Sequence, residues 1–92
     1  MVEYLSDAGL SADPATTLGA GGLFIETDTP LPEGSVLKLR FRLPRSQDTH
    51  SIEGRVVWRH RATDPGSYAP GMGIEFTDRG AVAKLARELE TL

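Results

Sequence analysis

The residues best suited to chemistry in this chain are its cations. Lys38, Arg40 and Arg42 alternate along one segment, and Arg55 and Arg59 follow along the next. Guanidinium groups grip phosphates and carboxylates through paired hydrogen bonds. Five cations on one face would therefore suit an anionic partner, either an acidic protein surface or, with steep salt dependence, a nucleic acid. No Lys or Arg precedes Lys38, whereas Glu3, Asp7, Asp13, Glu26, Asp28 and Glu33 are all acidic; from Lys38 to Arg61 the balance reverses, with only Asp48 and Glu53 opposing the cations. Such asymmetry marks an interaction surface, or two halves of one fold that attract each other. The net charge of −3 weighs against nucleic acid, and charged outer faces also keep strands from aggregating. A protein partner is the expected occupant of this face.

Other constellations are thinner. Gly19, Gly21 and Gly22 can cradle a phosphate, but the segment lacks the lysine and helix of a P-loop and leads into a strand. A turn that needs positive φ angles is expected instead. His50 and His60 have no partner at metal or catalytic spacing and are expected at the surface. The carboxylates are scattered, without a shared apolar pocket to shift a pKa. With no cysteine, disulfides and thiolate metal sites are excluded. No nucleophile–base pair, metal set or cofactor fingerprint appears, so a binding module without metal is expected rather than an enzyme.

The elements that would position these residues are mostly strands. Leu37, Leu39, Phe41 and Leu43 alternate with Lys38, Arg40 and Arg42, the period-2 pattern of a sheet with one wet face. The next segment places Ile52, Gly54, Val56 and Trp58 on the inner face and Glu53, Arg55, Val57 and Arg59 on the outer. Strands are expected over about 2–6, 15–18, 22–27, 35–43, 51–61 and 70–77, with Asp7–Pro14 a polar connection, Pro44–His50 a hairpin loop and residues 63–67 a second loop. The period then changes: Val82, Leu85, Leu89 and Leu92 recur at helical spacing, predicting a helix over about 79–91 with Thr77 or Asp78 as its N-cap. Leu92 either completes this stripe or meets a partner. Six antiparallel strands in series must curl to hide their edges, and the helix would seal one mouth of the resulting barrel.

At 92 residues, of which 39% are hydrophobic and 25% charged, the chain suits one globular domain spanning 1–92. Its apolar runs fall far short of the roughly 20 residues a membrane helix needs. The N-terminus has no charged-then-apolar signal pattern. A cytoplasmic location, with the protein monomeric or weakly self-associating, is the corresponding expectation.

Three segments in this order resemble the PilZ family: Leu18–Ile25, Gly54–Trp58 and Gly71–Phe76, with Pro32-Glu33-Gly34 leading into a strand between them. Val2-Glu3-Tyr4 and the terminal helix are similar to those of short PilZ-like proteins of the myxobacterial type. The resemblance implies a six-stranded barrel that binds cyclic di-GMP through an R-x-x-x-R ahead of the first strand and a [D/N]-x-S-x-x-G further on. The second motif falls on Thr17–Gly22, where Thr17 replaces Asp or Asn, Gly19 replaces Ser, and Gly22 is kept. The arginine pair is absent, since no arginine precedes Arg40. The expectation is a non-canonical PilZ-like adaptor in bacterial signalling or motility, contacting protein through Lys38, Arg40, Arg42, Arg55 and Arg59, with cyclic di-GMP binding weak or lost. The alternative is a cyclic di-GMP effector that uses non-standard arginines or arginines N-terminal to this sequence, and a weaker one is a nucleic-acid-binding barrel.

Overall fold

The structure, a computed structural model, describes residues 1–61 and 69–90. The loop expected at 63–67 and Leu92 lie outside the described residues. The element order is β1 (Val2–Ser6), β2 (Gly9–Asp13), β3 (Ala15–Thr16), β4 (Gly22–Glu26), β5 (Val36–Arg42), β6 (Thr49–His60), β7 (Gly71–Phe76) and helix α1 (Arg79–Glu90). All pairings are antiparallel, in the order β2-β1-β5-β6-β7-β4-β3. The two outermost strands are consecutive in the chain, separated only by Pro14, whose carbonyl accepts the Glu26 N–H at 2.9 Å. A single bent segment thus pairs with β1 along its first half and with β4 along its second. This nearly closes the barrel and leaves little free edge.

The mainly-β barrel with one terminal helix is as expected, with seven strands where six were predicted. The additional strand is β2, read from sequence as a polar connection. Its residues are exposed or only half-buried. A strand wetted on both faces has no period-2 signature.

The core is built by alternation. In β5 every second residue is buried (Leu37, Leu39, Phe41), and Leu43 continues the series beyond the strand. Val2 and Tyr4 of β1, Leu23 and Ile25 of β4, Ile52 and Val56 of β6, and Met72, Ile74 and Phe76 of β7 complete it. Tyr4 is buried, but its hydroxyl reaches Asp13 Oδ2 at 2.6 Å. Burial, aided by that carboxylate, raises the phenol pKa to about 12.

Helix α1 begins at Asp78, whose Oδ1 accepts the Ala81 N–H at 3.2 Å as an N-cap does. Leu85 is fully buried against the barrel, with Ala81, Val82 and Leu89 packed beside it.

Strand β5 is entered and left through turns. At its start the Ser35 N–H donates to the Pro32 carbonyl (3.1 Å) and Gly34 has φ 91°. After it the Ser46 N–H donates to the Leu43 carbonyl (3.1 Å) and Arg45 has φ 66°. A positive φ only at the third position identifies both as type II turns.

Candidate binding surfaces

The segment matching the degenerate motif, Thr17–Gly22, links β3 to β4 and is pinned by its backbone. The Gly19 N–H donates to the Gly22 carbonyl, and the Phe76 N–H donates to the Gly21 carbonyl, both at 3.0 Å. None of Gly19, Gly21 and Gly22 has a positive φ; that conformation falls on Thr17, at φ 55°. The glycine cluster is therefore not the positive-φ turn expected. Gly22 has a different reason to be glycine, because a β-carbon there would overlap the Ile74 carbonyl of the neighbouring strand. Gly19 and Gly21 have open space around them.

Thr17 opens onto a cleft of about 390 Å³ on the outer surface of β4, β7 and β6. Its walls are Phe24 and Trp58, with ring centroids 5.3 Å apart and planes 15° off parallel, and His60, which meets Trp58 edge-on at 5.1 Å. The floor is β7. A β-carbon on Gly73 would overlap the Trp58 ring, and one on Gly71 would overlap the Phe24 ring. The alternating glycines of Gly71-Met72-Gly73 thus leave room for two aromatic rings on the sheet's outer face. Trp58 is 44% exposed.

Trp58 was expected to face the core, and the structure corrects this. Val56 pairs with Ile74 and Trp58 with Gly73, so Val57 is an extra, unpaired residue. Such a β-bulge reverses the inside–outside phase of everything that follows. Trp58 consequently turns outward, and Arg59, which pairs with buried Met72, shares the inner side rather than the face of Arg55. The signal was present in the consecutive apolar residues Val56-Val57-Trp58, which no strict alternation accommodates.

The other cations lie on the outer face, but the register matches each with a partner residue. Arg40 is opposite Glu3, Lys38 opposite Glu53, and Arg55 opposite Glu75. Opposed charges across strands contribute about 0.2–1 kcal/mol each, and these three pairs face each other by register without closing to 4.0 Å. Arg42 is the exception, because it faces Thr49. With Met1, Thr17 and Leu18 it lines a further cleft of about 320 Å³ at the barrel mouth. The structure thus brings Arg42 to the Thr17 segment and leaves Lys38, Arg40 and Arg55 away from both clefts' linings.

His50 also departs from expectation. It is 2% exposed rather than at the surface. Its Nε2 lies 2.7 Å from Glu88 Oε2 of α1, and its ring stacks on Phe41 at 5.7 Å. Hydrogen bonding from Ser46, opposed in part by desolvation and reinforced by His50 and Lys84, holds the Glu88 carboxyl below the usual range. Extending the alternation Val56, Gly54, Ile52 two residues backward would have placed His50 inward. Its partner, 38 residues away, had no sequence signal. Among the described residues, no helix is long and apolar enough to cross a membrane.

Comparison with known proteins agrees with this geometry. The family model of the PilZ domain matches residues 15–91. No curated protein matches the chain.

Proposed function

The chain belongs to the PilZ domain family, and from that premise we propose that it is a protein-binding adaptor in bacterial signalling or motility, with little affinity for cyclic di-GMP. Members of the family generally act as cyclic di-GMP-binding or adaptor modules rather than enzymes. What carries the reading is the chemistry of the two clefts beside Thr17–Gly22. Of their lining residues among those described, Arg42 alone carries a fixed positive charge. A dinucleotide with two phosphates is held by charge-assisted hydrogen bonds worth about 1.5–3 kcal/mol each. Each loss of about 1.4 kcal/mol is a tenfold loss of affinity, so removing two guanidinium clamps leaves binding negligible.

The aromatic cleft suits a protein contact. Tryptophan is among the residues enriched at interface hot spots, and here it is half-exposed and backed by a second ring. Its lining, which among the described residues holds no Lys, Arg, Asp or Glu, fits an apolar side chain inserted from a partner. A strand added to a free edge is disfavoured in a nearly closed barrel. Of the cationic face only Arg42 lines the adjoining cleft, since Lys38, Arg40 and Arg55 stand opposite carboxylates and Arg59 has changed sides.

Calorimetric titration with cyclic di-GMP tests the proposal, which expects no heat at high ligand concentration. Micromolar or tighter binding would sink it. A second reading has one observation in its favour, the position of Arg42 beside Thr17 and Leu18. It expects micromolar binding that Arg42→Ala removes.

A further inference from the structure

A separate cleft, of about 990 Å³, lies between the β5–β6 loop and α1. The loop residues 44–48 form one side, and Lys84, Arg87 and Glu88 the other. The three helical residues stand at i, i+3 and i+4, hence on one face; Arg45 meets them from the loop. Two carboxylates, Asp48 and Glu88, share the cleft with these three cations, and Glu88 is already engaged by Ser46, His50 and the charge of Lys84. Among the described residues, no carboxylate lies within 4.0 Å of Arg45, Lys84 or Arg87.

The backbone of Arg45 is a second, independent observation. Arg45 follows Pro44 at the third position of a type II turn, with φ 66°, a place that glycine or asparagine fills with least strain. The corresponding residue in the turn before β5 is Gly34. A side chain at positive φ costs local stability and persists where neighbouring contacts hold it. Here Ser46, the next residue, is tied to Glu88 of the helix. Strained residues of this kind concentrate at ligand-binding positions.

We propose that this cleft receives an acidic segment of a protein partner. Arg45 and Arg87 take its carboxylates, with Lys84 beside them. Its apolar side chains lie on Pro44 and on the aliphatic stems of the same cations. Size favours an extended segment over a lone oxyanion, since the cleft is far larger than one phosphate needs. The proposal goes beyond the adaptor reading and uses no residue of the aromatic cleft, so either can fail alone.

Fluorescence anisotropy of a short labelled peptide alternating glutamate and leucine, added to the whole chain, provides the test. The glutamate peptide should bind about tenfold or more tightly than its glutamine counterpart, and salt should weaken it. Arg45→Gly relieves the backbone while deleting the cation. Its melting temperature should rise as affinity falls about tenfold, whereas Arg45→Lys keeps most of the binding. Arg87→Gln should weaken binding with the melt unchanged. Equal binding of the two peptides, or unimpaired binding by the Arg45→Gly, Arg87→Gln double variant, overturns the proposal. So does inorganic phosphate bound as tightly as the peptide, which would show a lone-anion site, or an Arg45→Gly melt that falls.

Discussion

The turns on either side of β5 have the same hydrogen bond, 3.1 Å in each, and the same left-handed third residue, but one holds Gly34 and the other Arg45. The entry turn is tied by its backbone to β6, the Gly34 N–H donating to the Val56 carbonyl at 2.8 Å and the Val56 N–H to the Ser35 carbonyl at 2.9 Å, and it places glycine where local backbone chemistry favours it. The exit turn departs from that chemistry and is held from outside, by Ser46 and His50 reaching Glu88 on α1. Identical geometry thus has two origins in this molecule. One suits its glycine and is tied through backbone to the neighbouring strand, and the other is tied through side chains to the helix docked across it.

The largest expected effect comes from undocking that helix. Leu85 is fully buried, and Leu85→Ala should cost about 2–5 kcal/mol, as large-to-small core substitutions do. The difference between the turns should then appear in amide hydrogen exchange. The Ser46 N–H should lose protection out of proportion to the Ser35 N–H, because only the exit turn leans on α1. Equal loss at both amides would show that the helix does not support the exit turn. Exchanging the turn residues comes next. Gly34→Arg places a β-carbon at φ 91° with no compensating anchor and should cost about 1–2 kcal/mol, a fall of about 4–8 °C in melting temperature per kcal/mol. Arg45→Gly should move stability the other way by a smaller amount, about 0.5–1 kcal/mol, since glycine's own entropic cost offsets part of the relief. Two changes of the same sign would end the distinction between the turns.

Acid should separate them further. The Glu88 carboxyl titrates below its ordinary value in the folded chain, so its contribution is complete above the unfolded value of about 4.5 and is lost as pH falls through the lower folded value. Protonation removes the charge that strengthens the hydrogen bonds from Ser46 and His50 and should loosen the exit turn first. In Glu88→Gln this part of the acid destabilisation should be missing. An acid melting profile identical to that of the parent would show that Glu88 contributes no pH dependence.

How much of this was legible in the sequence depends on which groups report on a buried face. Leu37, Leu39 and Phe41 announce β5 because one side of it is dry, and the Val82–Leu85–Leu89 spacing announces α1 for the same reason. Strand β2 was invisible because neither of its faces is buried. Trp58 was placed on the wrong side because a single unpaired residue, Val57, reverses the phase, and its one sign in the sequence, three apolar residues in a row, breaks the alternation that was extended through it. The pairing of Arg40 with Glu3 and Lys38 with Glu53 was out of reach for another reason. It is a property of register between strands, so five cations that look like one patch in sequence become three balanced rows, one inward residue and Arg42. His50 with Glu88 belongs to the same class of long-range facts.

The third left-handed side chain offers the smallest effect. Thr17 has φ 55°, a conformation in which a β-branched residue is an outlier and asparagine is tolerated. Thr17→Asn should therefore raise stability by a few tenths of a kcal/mol, visible as a small rise in melting temperature. Asparagine is also what the family's nucleotide motif carries at this position, so the variant separates backbone strain from ligand chemistry. If the missing guanidinium clamp is what limits affinity, Thr17→Asn will melt higher and still give no heat with cyclic di-GMP. Heat appearing on this one change would mean that the residue at 17, and not an arginine clamp, limits affinity.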